Sequence, residues 1–290
     1  MRAVTQILVA TDFSAASQRA LKTATGLAAR FGAAITVLHV VEGAPYPYAL
    51  TPAPWLLEAA QAHLDKTLAT LQTEGLNARG VLREGVPWRE ICSAAADLSP
   101  DVVVIGSHGR HGLPRFILGS VAERVVRVSP VPVLTVPPSD DVAVVGSIPE
   151  RVGRILAPTD FSETSQRGVD AAVTIALALG AALTLVYVYE PPNSAYHLFF
   201  ADVAAEASRT VQRPLDELLT HIRLRLPDAE AIARVATPWV GILDVAKDRS
   251  ADMIVIGTHG RRGLEHAFLG SVAEKIVRLS PVPVLTVGAN

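Results

Sequence analysis

A Thr-Asp pair directly after an apolar run is the first feature of this sequence with chemical potential. Thr11-Asp12 follows ILVA at 7–10, and Thr159-Asp160 follows the related run ILAP. A carboxylate at the end of a buried strand can accept hydrogen bonds from hydroxyl groups or help to hold a hard divalent cation. Because a carboxylate repels phosphate, we expect its partners to be ribose hydroxyls or a phosphate-bound Mg²⁺ ion.

A glycine pattern with fixed spacing is the second such feature. It has the form G-x2-G-x9-G-S, and it begins at the end of VVVIG at 102–106 and again at the end of MIVIG. Glycine accepts positive φ and lets the backbone lie close to a ligand. The last glycine precedes a helical pattern, and the first N–H groups of a helix can bind phosphate oxygens. The residues are Gly106, Gly109, Gly119 and Ser120 in the first copy and Gly257, Gly260, Gly270 and Ser271 in the second.

Purely structural interpretations of these residues also exist. The segments 120–123 and 271–274 both read Ser-Val-Ala-Glu, which matches the capping box that satisfies N–H groups at a helix start. Asp12 could likewise be only a polar group at the start of the first helix, near Ser14. The recurrence favours function, because a duplicated helix cap does not require two further glycines ahead of it at fixed spacing.

The chain contains the same sequence twice. Residues 106–136 and 257–287 are identical at 22 of 31 aligned positions. A repeat of about 150 residues has the size of a domain rather than of a solenoid unit. We therefore predict two domains, at 1–139 and 151–290, joined by a linker at 140–150.

Each copy alternates β-branched runs with helical patterns, which is typical of βα units around a parallel sheet. The near-continuous Val, Ile and Leu runs indicate strands that are covered on both faces. The predicted fold class is therefore α/β, with two tandem doubly wound domains, each a five-stranded parallel sheet flanked by helices. In the first copy we predict strands at 7–10, 34–41, 78–84, 102–106 and 131–136, and helices at 14–30, 54–73, 88–97 and 120–128.

The position of the two motifs in such a sheet is informative. Ligands of doubly wound sheets bind at the carboxyl edge, where the strand order reverses. If strands one and four are neighbours at that reversal, the Thr-Asp pair and the glycine pattern lie in one crevice.

Together, the two motifs resemble the ATP-binding signature of the universal stress protein family. The likeness covers nearly the whole chain as two family domains in tandem, and it implies an adenine nucleotide α-hydrolase-like fold with ATP and Mg²⁺ as ligands. It places adenine near Val40 and Ile105, ribose near Asp12, and phosphates at the last helix. The implied residues are Ala10, Thr11, Asp12, Val40, Ile105, Gly106, Gly109, Gly119, Ser120 and Val121 in the first copy, and Pro158, Thr159, Asp160, Val188, Ile256, Gly257, Gly260, Gly270, Ser271 and Val272 in the second. Asp12 and Asp160 are the residues expected near an ATP-bound Mg²⁺ ion.

Several other polar residues are weaker candidates. His108, Arg110, His259 and Arg261 lie in the glycine loops and could reach phosphates, although turn residues and solvated charges explain them as well. His39 lies in a predicted strand, where we expect a core residue or a satisfied polar group.

Aromatic residues precede or begin the second helix of each copy. They could form a lid over each pocket, or they could be buried beneath the helix. The residues are Tyr46, Tyr48 and Trp55, with the loose counterparts Tyr196, Phe199 and Phe200.

Three functions are compatible with these features. We favour a nucleotide-binding regulatory protein of the stress response, because the P-loop lysine of many phosphoryl-transfer sites is absent. The alternatives are a slow ATPase or adenylate-transferring enzyme, and an interaction scaffold with vestigial pockets. Family members pair through the fifth strand, so the segments 129–136 and 280–287 imply an intrachain pseudo-dimer. A further homodimer and an unknown protein partner are also compatible with the sequence.

Composition restricts the other classes of partner. A net charge of −2 gives no electrostatic reason to expect nucleic acid. The single cysteine, Cys92, excludes an intrachain disulfide and suits a reduced, cytoplasmic compartment. The uncharged stretch 171–189 approaches the length of a membrane span, but Gly180 interrupts it. We therefore predict a buried helix, a turn and a buried strand there rather than a membrane segment.

Overall fold

The chain folds into two compact units, one formed mainly by residues 2–150 and the other mainly by residues 151–276 and 284–289, so that each contains most of one sequence copy. The computed structural model describes residues 4–42, 53–107, 118–138, 152–190, 200–258 and 269–288, and only the backbone at 200–211. The predicted linker at 140–150 lies outside the described residues, so the domain boundaries stay a prediction.

The first domain alternates strands with helices in the predicted order. Its strands pair in the order β3-β2-β1-β4-β5, all parallel. This order confirms the five-stranded parallel sheet and places its reversal between β1 and β4. The elements are β1 (Gln6–Thr11), α1 (Ala15–Phe31), β2 (Ala34–Val41), α2 (Pro54–Thr73), β3 (Ala78–Glu84), α3 (Pro87–Leu98), β4 (Val102–Gly106), α4 (Ser120–Val128) and β5 (Val133–Val136).

The second domain repeats this plan. Its sheet order is β8-β7-β6-β9-β10, again all parallel, with the reversal between β6 and β9. The elements are β6 (Arg154–Pro158), α5 (Glu163–Leu179), β7 (Ala182–Tyr189), α6 (Phe200–Arg223), β8 (Glu230–Val235), α7 (Pro238–Asp248), β9 (Met253–Gly257), α8 (Ser271–Leu279) and β10 (Val284–Val287).

The core of each domain lies on both faces of its sheet. Leu8, Ile35 and Leu134 are almost completely buried in the first domain, as are Ile155 and Leu183 in the second. Because crossovers between parallel strands are right-handed, α1 and α2 cover one face while α3 and α4 cover the other. The continuous apolar runs of the central strands therefore predicted their environment correctly.

The uncharged stretch 171–189 forms a helix, a turn and a strand. Helix α5 ends at Leu179, and Gly180 follows with a left-handed φ of 62° and donates its N–H to the Ala176 carbonyl. Strand β7 then begins at Ala182. None of the helices in the described part of the chain is long and apolar enough to cross a membrane.

Both fifth strands begin directly after a proline-containing segment. Strand β5 starts at Val133, after Pro132, and β10 starts at Val284, after Pro283. Proline removes a backbone donor, so each strand starts at the first residue that can donate to its neighbour. The pairing of the two halves through these strands stays a prediction.

Candidate nucleotide-binding site

Strands β1 and β4 lie side by side, which is the condition for the two sequence motifs to lie in one crevice. Ile7 pairs with Val102 and Val9 with Val104 in the first sheet, while Ile155 pairs with Met253 in the second. Since parallel strands end at the same edge, the Thr-Asp turn and the first glycine of the pattern meet there. The predicted adjacency is confirmed in both domains.

A hydrogen-bonded turn fixes the aspartate of the first domain. The Thr11 hydroxyl donates to Ser17 Oγ over 3.1 Å and accepts the N–H of Phe13 over 3.0 Å. Asp12 Oδ1 accepts the N–H of Ser14 over 3.0 Å. The Thr11 hydroxyl is thus committed to the turn, so Thr11 lines the edge with its backbone, and the Asp12 carboxylate is oriented by the chain itself.

The second domain builds the same turn. Asp160 Oδ1 accepts the backbone N–H of Ser162 over 3.0 Å and its hydroxyl over 2.6 Å. Phe161 adopts a φ of 62°, the value that Phe13 also has. The N-caps of α1 and α5 are Ser14 and Ser162 themselves. The aspartates therefore orient the residue that caps the helix but are not the caps.

A backbone hydrogen bond closes each glycine loop. Gly119 donates its N–H to the Ser107 carbonyl over 2.8 Å, and Gly270 donates to the Thr258 carbonyl over 2.7 Å. Ser107 in turn donates its N–H to the carbonyl of Val136, the last residue of β5, over 2.9 Å. The start of α4 is thereby fixed at the carboxyl edge of β4 and β5, beside the Thr-Asp turn.

The capping-box interpretation of Ser120 is wrong. Gly119 is the N-cap of α4, with φ −62° and ψ 140°, so Ser120 is the first helical residue. The carboxylate of Glu123 does not turn back to the helix start but pairs with Arg127 over 2.6 Å. A capping box requires Ser at the cap and Glu three residues later, and here the whole motif is displaced by one residue.

This displacement leaves backbone donors at the start of α4. Gly119 has no side chain, and its own N–H is donated to Ser107. Glu123 is the first residue to donate back along the helix, to the Gly119 carbonyl over 2.9 Å. The N–H groups of Ser120, Val121 and Ala122 therefore have no acceptor within the helix, and no side chain of the described residues caps them. Helices α2, α3 and α7, by contrast, have proline in the first turn.

The implied base-binding residues lie on the strands around the reversal. Ile105 and Ala10 are each 6% exposed. Val40 is half-buried, and it follows His39, which pairs with Thr11 across β1 and β2. In the second domain Ile256 is equally buried, Val188 is half-buried, and Pro158 is the counterpart of Ala10. These residues, from three neighbouring strands in each domain, form an apolar wall at the edge where the turn and the helix start meet.

The sequence interpretation missed the aromatic support of the Thr-Asp turn. The ring of Phe13 lies 4.4 Å from that of His39 and 5.3 Å from that of His63. His39 is buried, and its Nδ1 lies 2.7 Å from the Thr11 carbonyl. His39 is therefore the satisfied polar core residue that we expected. The repeated Asp-Phe-Ser sequence was the available signal for Phe13, since a left-handed phenylalanine is uncommon.

Some candidate residues lie outside the described part of the chain. These are His108, Gly109, Arg110, His259, Gly260 and Arg261, together with Tyr46, Tyr48, Tyr196 and Phe199. Phe200 begins α6, where only the backbone is described. Trp55 is described and is 68% exposed at the start of α2, so burial beneath that helix is wrong for Trp55.

Metal and thiol chemistry have little support among the described residues. No group of three His, Cys, Asp or Glu side chains in this part of the chain could hold a metal ion. A Mg²⁺ ion at Asp12 or Asp160 would thus take most of its ligands from the nucleotide and from water. Burial raises the pKa of the Cys92 thiol to about 11, so Cys92 is a poor nucleophile at neutral pH.

The fold and this edge define a doubly wound α/β protein made of two copies of one domain. A sequence model of one family, described as the universal stress protein family, matches residues 4–137 and again 151–288. The chain belongs to the universal stress protein family, as a tandem two-domain member.

Relatives and solved structures agree with this assignment. A universal stress protein of Mycolicibacterium smegmatis is 28% identical over 97% of this chain and 96% of its own length. A universal stress protein of Mycobacterium tuberculosis is 29% identical over 87% of this chain and 86% of its own. The crystal structure of a universal stress protein from Archaeoglobus fulgidus has a TM-score of 0.71 at 23% identity, covering 98% and 96% of the two chains. That likeness shows the same fold.

Proposed function

We propose that each domain binds one ATP molecule, with the phosphates at the start of α4 or α8. The observation that carries this proposal is the glycine N-cap of α4, which leaves the N–H groups of Ser120, Val121 and Ala122 without a side-chain cap. Backbone donors and the helix dipole together favour a bound anion. In the second domain, Gly270 closes its loop in the same way and precedes Ser271 and Val272.

The remaining parts of the nucleotide match the rest of the edge. The Asp12 carboxylate, oriented by Ser14, suits the ribose hydroxyls or a Mg²⁺ ion that arrives with the phosphates. Val40 and Ile105 supply an apolar surface for the base. The Ser120 hydroxyl is not used as a helix cap, which makes it a further donor for a phosphate oxygen.

We infer a regulatory function rather than efficient catalysis. ATP occupancy would bias the conformation or the association of a cytoplasmic stress-response protein, with pairing through the fifth strands and an unidentified protein as partners. The described part of the edge offers oriented donors and one carboxylate per domain, and it lacks a lysine in the position of a P-loop lysine. Slow ATP hydrolysis remains the second candidate, because oriented donors and a metal ion can stabilise a leaving phosphate.

Mass spectrometry of the small molecules released from freshly purified, denatured protein tests the proposal. We expect ATP or ADP, and titration of ligand-free protein should show tighter binding of ATP than of adenosine. Incubation with ATP and Mg²⁺ separates the two candidate functions. Turnover near 1 s⁻¹ or faster would indicate an enzyme, retained ATP would indicate a sensor, and no binding of any nucleotide would leave a scaffold.

A further inference from the structure

The helix at the proposed phosphate site carries a cation held by an aromatic ring. Arg124 of α4 lies over the ring of Trp88, with its Cζ 5.5 Å from the ring centre. In the second domain, Lys275 of α8 lies over Trp239, with its Nζ 5.2 Å from the ring centre. Both distances fall within the range of a cation–π interaction.

Arg124 differs from Arg127, the other cation of α4, in how it is held. Within the described residues, neither Arg124 nor Lys275 forms an ion pair with a carboxylate. Arg127, one turn further along α4, pairs with Glu123 over 2.6 Å. A carboxylate neutralises a bound cation, whereas an aromatic face holds it in place and leaves its net charge intact. Arg124 and Lys275 therefore each contribute a full positive charge to their surroundings.

Both partners lie near the carboxyl edge of the sheet. Trp88 is the second residue of α3 and Arg124 the fifth residue of α4. Each helix follows a parallel strand, so each begins at that edge. Long side chains on a helix point back towards its N-terminus. Since the Trp88 ring over which Arg124 lies belongs to the first turn of α3, the contact holds the Arg124 charge towards the carboxyl edge, where α4 also begins.

The two domains show which part of this arrangement is shared. Arg89 also lies over the Trp88 ring, with its Cζ 5.2 Å from the centre, but Val240 occupies the matching position in the second domain. The cation on the last helix is present in both, as Arg in one and Lys in the other. Arg and Lys differ in geometry and share only the positive charge.

We propose that Arg124 and Lys275 increase the affinity of each site for phosphate groups through their charge, and that Trp88 and Trp239 position them. This inference rests on the proposed ATP site. The contact between α3 and α4 thereby has a function in ligand binding. Through the charge it holds, the site prefers ligands that carry more phosphate groups.

Arg124→Gln, alone and combined with Lys275→Gln, tests the inference by titration calorimetry on the full chain. Removing one positive charge from the edge that holds the triphosphate should lower ATP affinity about tenfold at low salt and about threefold at physiological salt. Adenosine carries no phosphate, so its affinity should change by less than about twofold. A loss caused only by altered packing would weaken both ligands equally and would not depend on salt.

Three further variants serve as controls. Glu123→Gln combined with Arg127→Gln removes an ion pair from the same helix without changing the net charge, so ATP affinity should stay within about twofold of wild type. Arg124→Lys copies the second domain and should retain affinity. Trp88→Phe keeps a ring but weakens the cation–π contact, so it should give an intermediate loss of ATP affinity. Since Trp88 Nε1 has no hydrogen-bond partner, this variant removes no hydrogen bond.

The outcomes separate the inference from the proposed function. If wild-type protein binds ATP and Arg124→Gln binds it at low salt as tightly as the Glu123→Gln, Arg127→Gln double variant does, the inference is wrong while the ATP site stands. Equal losses for ATP and adenosine would also overturn it. If wild-type protein binds neither ligand, the proposed function itself fails.

Discussion

The two domains share the main hydrogen bonds of the carboxyl edge and differ in what supports it. Both have the Thr-Asp turn with a left-handed phenylalanine, and both close the glycine loop with one backbone hydrogen bond. Beneath the turn, the first domain has buried His39, with Nδ1 against the Thr11 carbonyl. The second has half-buried Tyr187 stacked on Phe161, with ring centres 5.2 Å apart. The shared edge is backbone geometry, whereas the support is side-chain packing.

Helix packing differs in the same way. Helix α2 has 20 residues and α6 has 24, with Pro214 inside it. In the second domain Gly168 of α5 lies against the backbone of Gly257, while Ala20 stands at the matching position in the first. We therefore expect variants beneath the edge to affect the stability of the two domains differently, and variants at the edge to affect both sites alike.

Gly257→Ala should have the largest effect on stability. A Cβ atom at Gly257 would lie 2.5 Å from the Thr164 carbonyl oxygen, and backbone cannot move aside cheaply. We expect the free energy of unfolding of the second domain to fall by about 3 kcal/mol. Denaturant unfolding followed by Trp239 fluorescence, with Trp55 and Trp88 replaced by Phe, measures this domain separately.

Gly26→Ala in the first domain is the matched control. Nothing lies within 4 Å of a Cβ atom at this position of α1, so the variant should gain about 0.5–1 kcal/mol from helix propensity. A second domain that tolerated Gly257→Ala as well as this would contradict the close approach of α5 and β9.

Asp101→Ala should have the next largest effect. Asp101 Oδ2 accepts hydrogen bonds from the Thr5 N–H, the Thr5 hydroxyl and the Gln6 N–H. Its counterpart Asp252 accepts only two, from the N–H groups of Gly153 and Arg154. We expect the free energy of unfolding to fall by about 2 kcal/mol for Asp101→Ala and by less for Asp252→Ala, as measured by thermal unfolding. A larger loss of stability for Asp252→Ala than for Asp101→Ala would contradict the number of accepted hydrogen bonds as the cause of the difference.

His39→Tyr makes the first domain resemble the second. The tyrosine ring can replace the contact with Phe13, but the substitution removes the hydrogen-bond partner of the Thr11 carbonyl. We therefore expect the free energy of unfolding of the first domain to fall by about 1–2 kcal/mol. The affinity of the first site for ATP should fall only slightly, because the edge itself is unchanged. A large loss of ATP binding with unchanged stability would instead place His39 in the site.

Cys92→Ala should give the smallest change in stability, and this change should depend on pH. The pKa of Cys92 is raised from 9.0 to about 11 by burial, so folding favours the neutral thiol. The stability this contributes is fully present below pH 9 and is lost as the pH rises towards 11. Unfolding of wild type and Cys92→Ala between pH 8 and 11 should show a larger pH-dependent loss in the wild type, because lysine and tyrosine side chains titrate in both proteins. Thiol reagents should react slowly with the folded chain at pH 8. Rapid reaction there would contradict the buried environment.

The sequence predicted most of the fold because apolar runs and turns carry local signals. The bounds of β2, β4 and α4 agree with the predicted ranges 34–41, 102–106 and 120–128. Strand β5 starts at Val133 rather than residue 131, because Pro132 cannot donate to the neighbouring strand. The adjacency of β1 and β4 was expected from the motifs, although only the sheet itself could establish it.

The sequence predicted the site less completely because its decisive contacts are not local. The pattern Ser-Val-Ala-Glu fits a capping box equally well at Ser120 or displaced by one residue, and only the dihedral angles of Gly119 decide between them. The contact of Arg124 with Trp88 joins two helices far apart in sequence, so no spacing rule could reveal it. The exposure of Trp55 likewise follows from tertiary packing.

The stoichiometry of ATP binding in Gly119→Asp and Gly270→Asp variants tests the central claim most directly. An aspartate at the N-cap would itself accept the N–H of Val121 or Ala122 and repel phosphate, while stabilising the helix by up to about 1 kcal/mol. Titration calorimetry should give two ATP per chain for wild type, one for either single variant and none for the double variant, with no loss of thermal stability. A folded double variant that still binds two ATP with wild-type affinity would contradict the account.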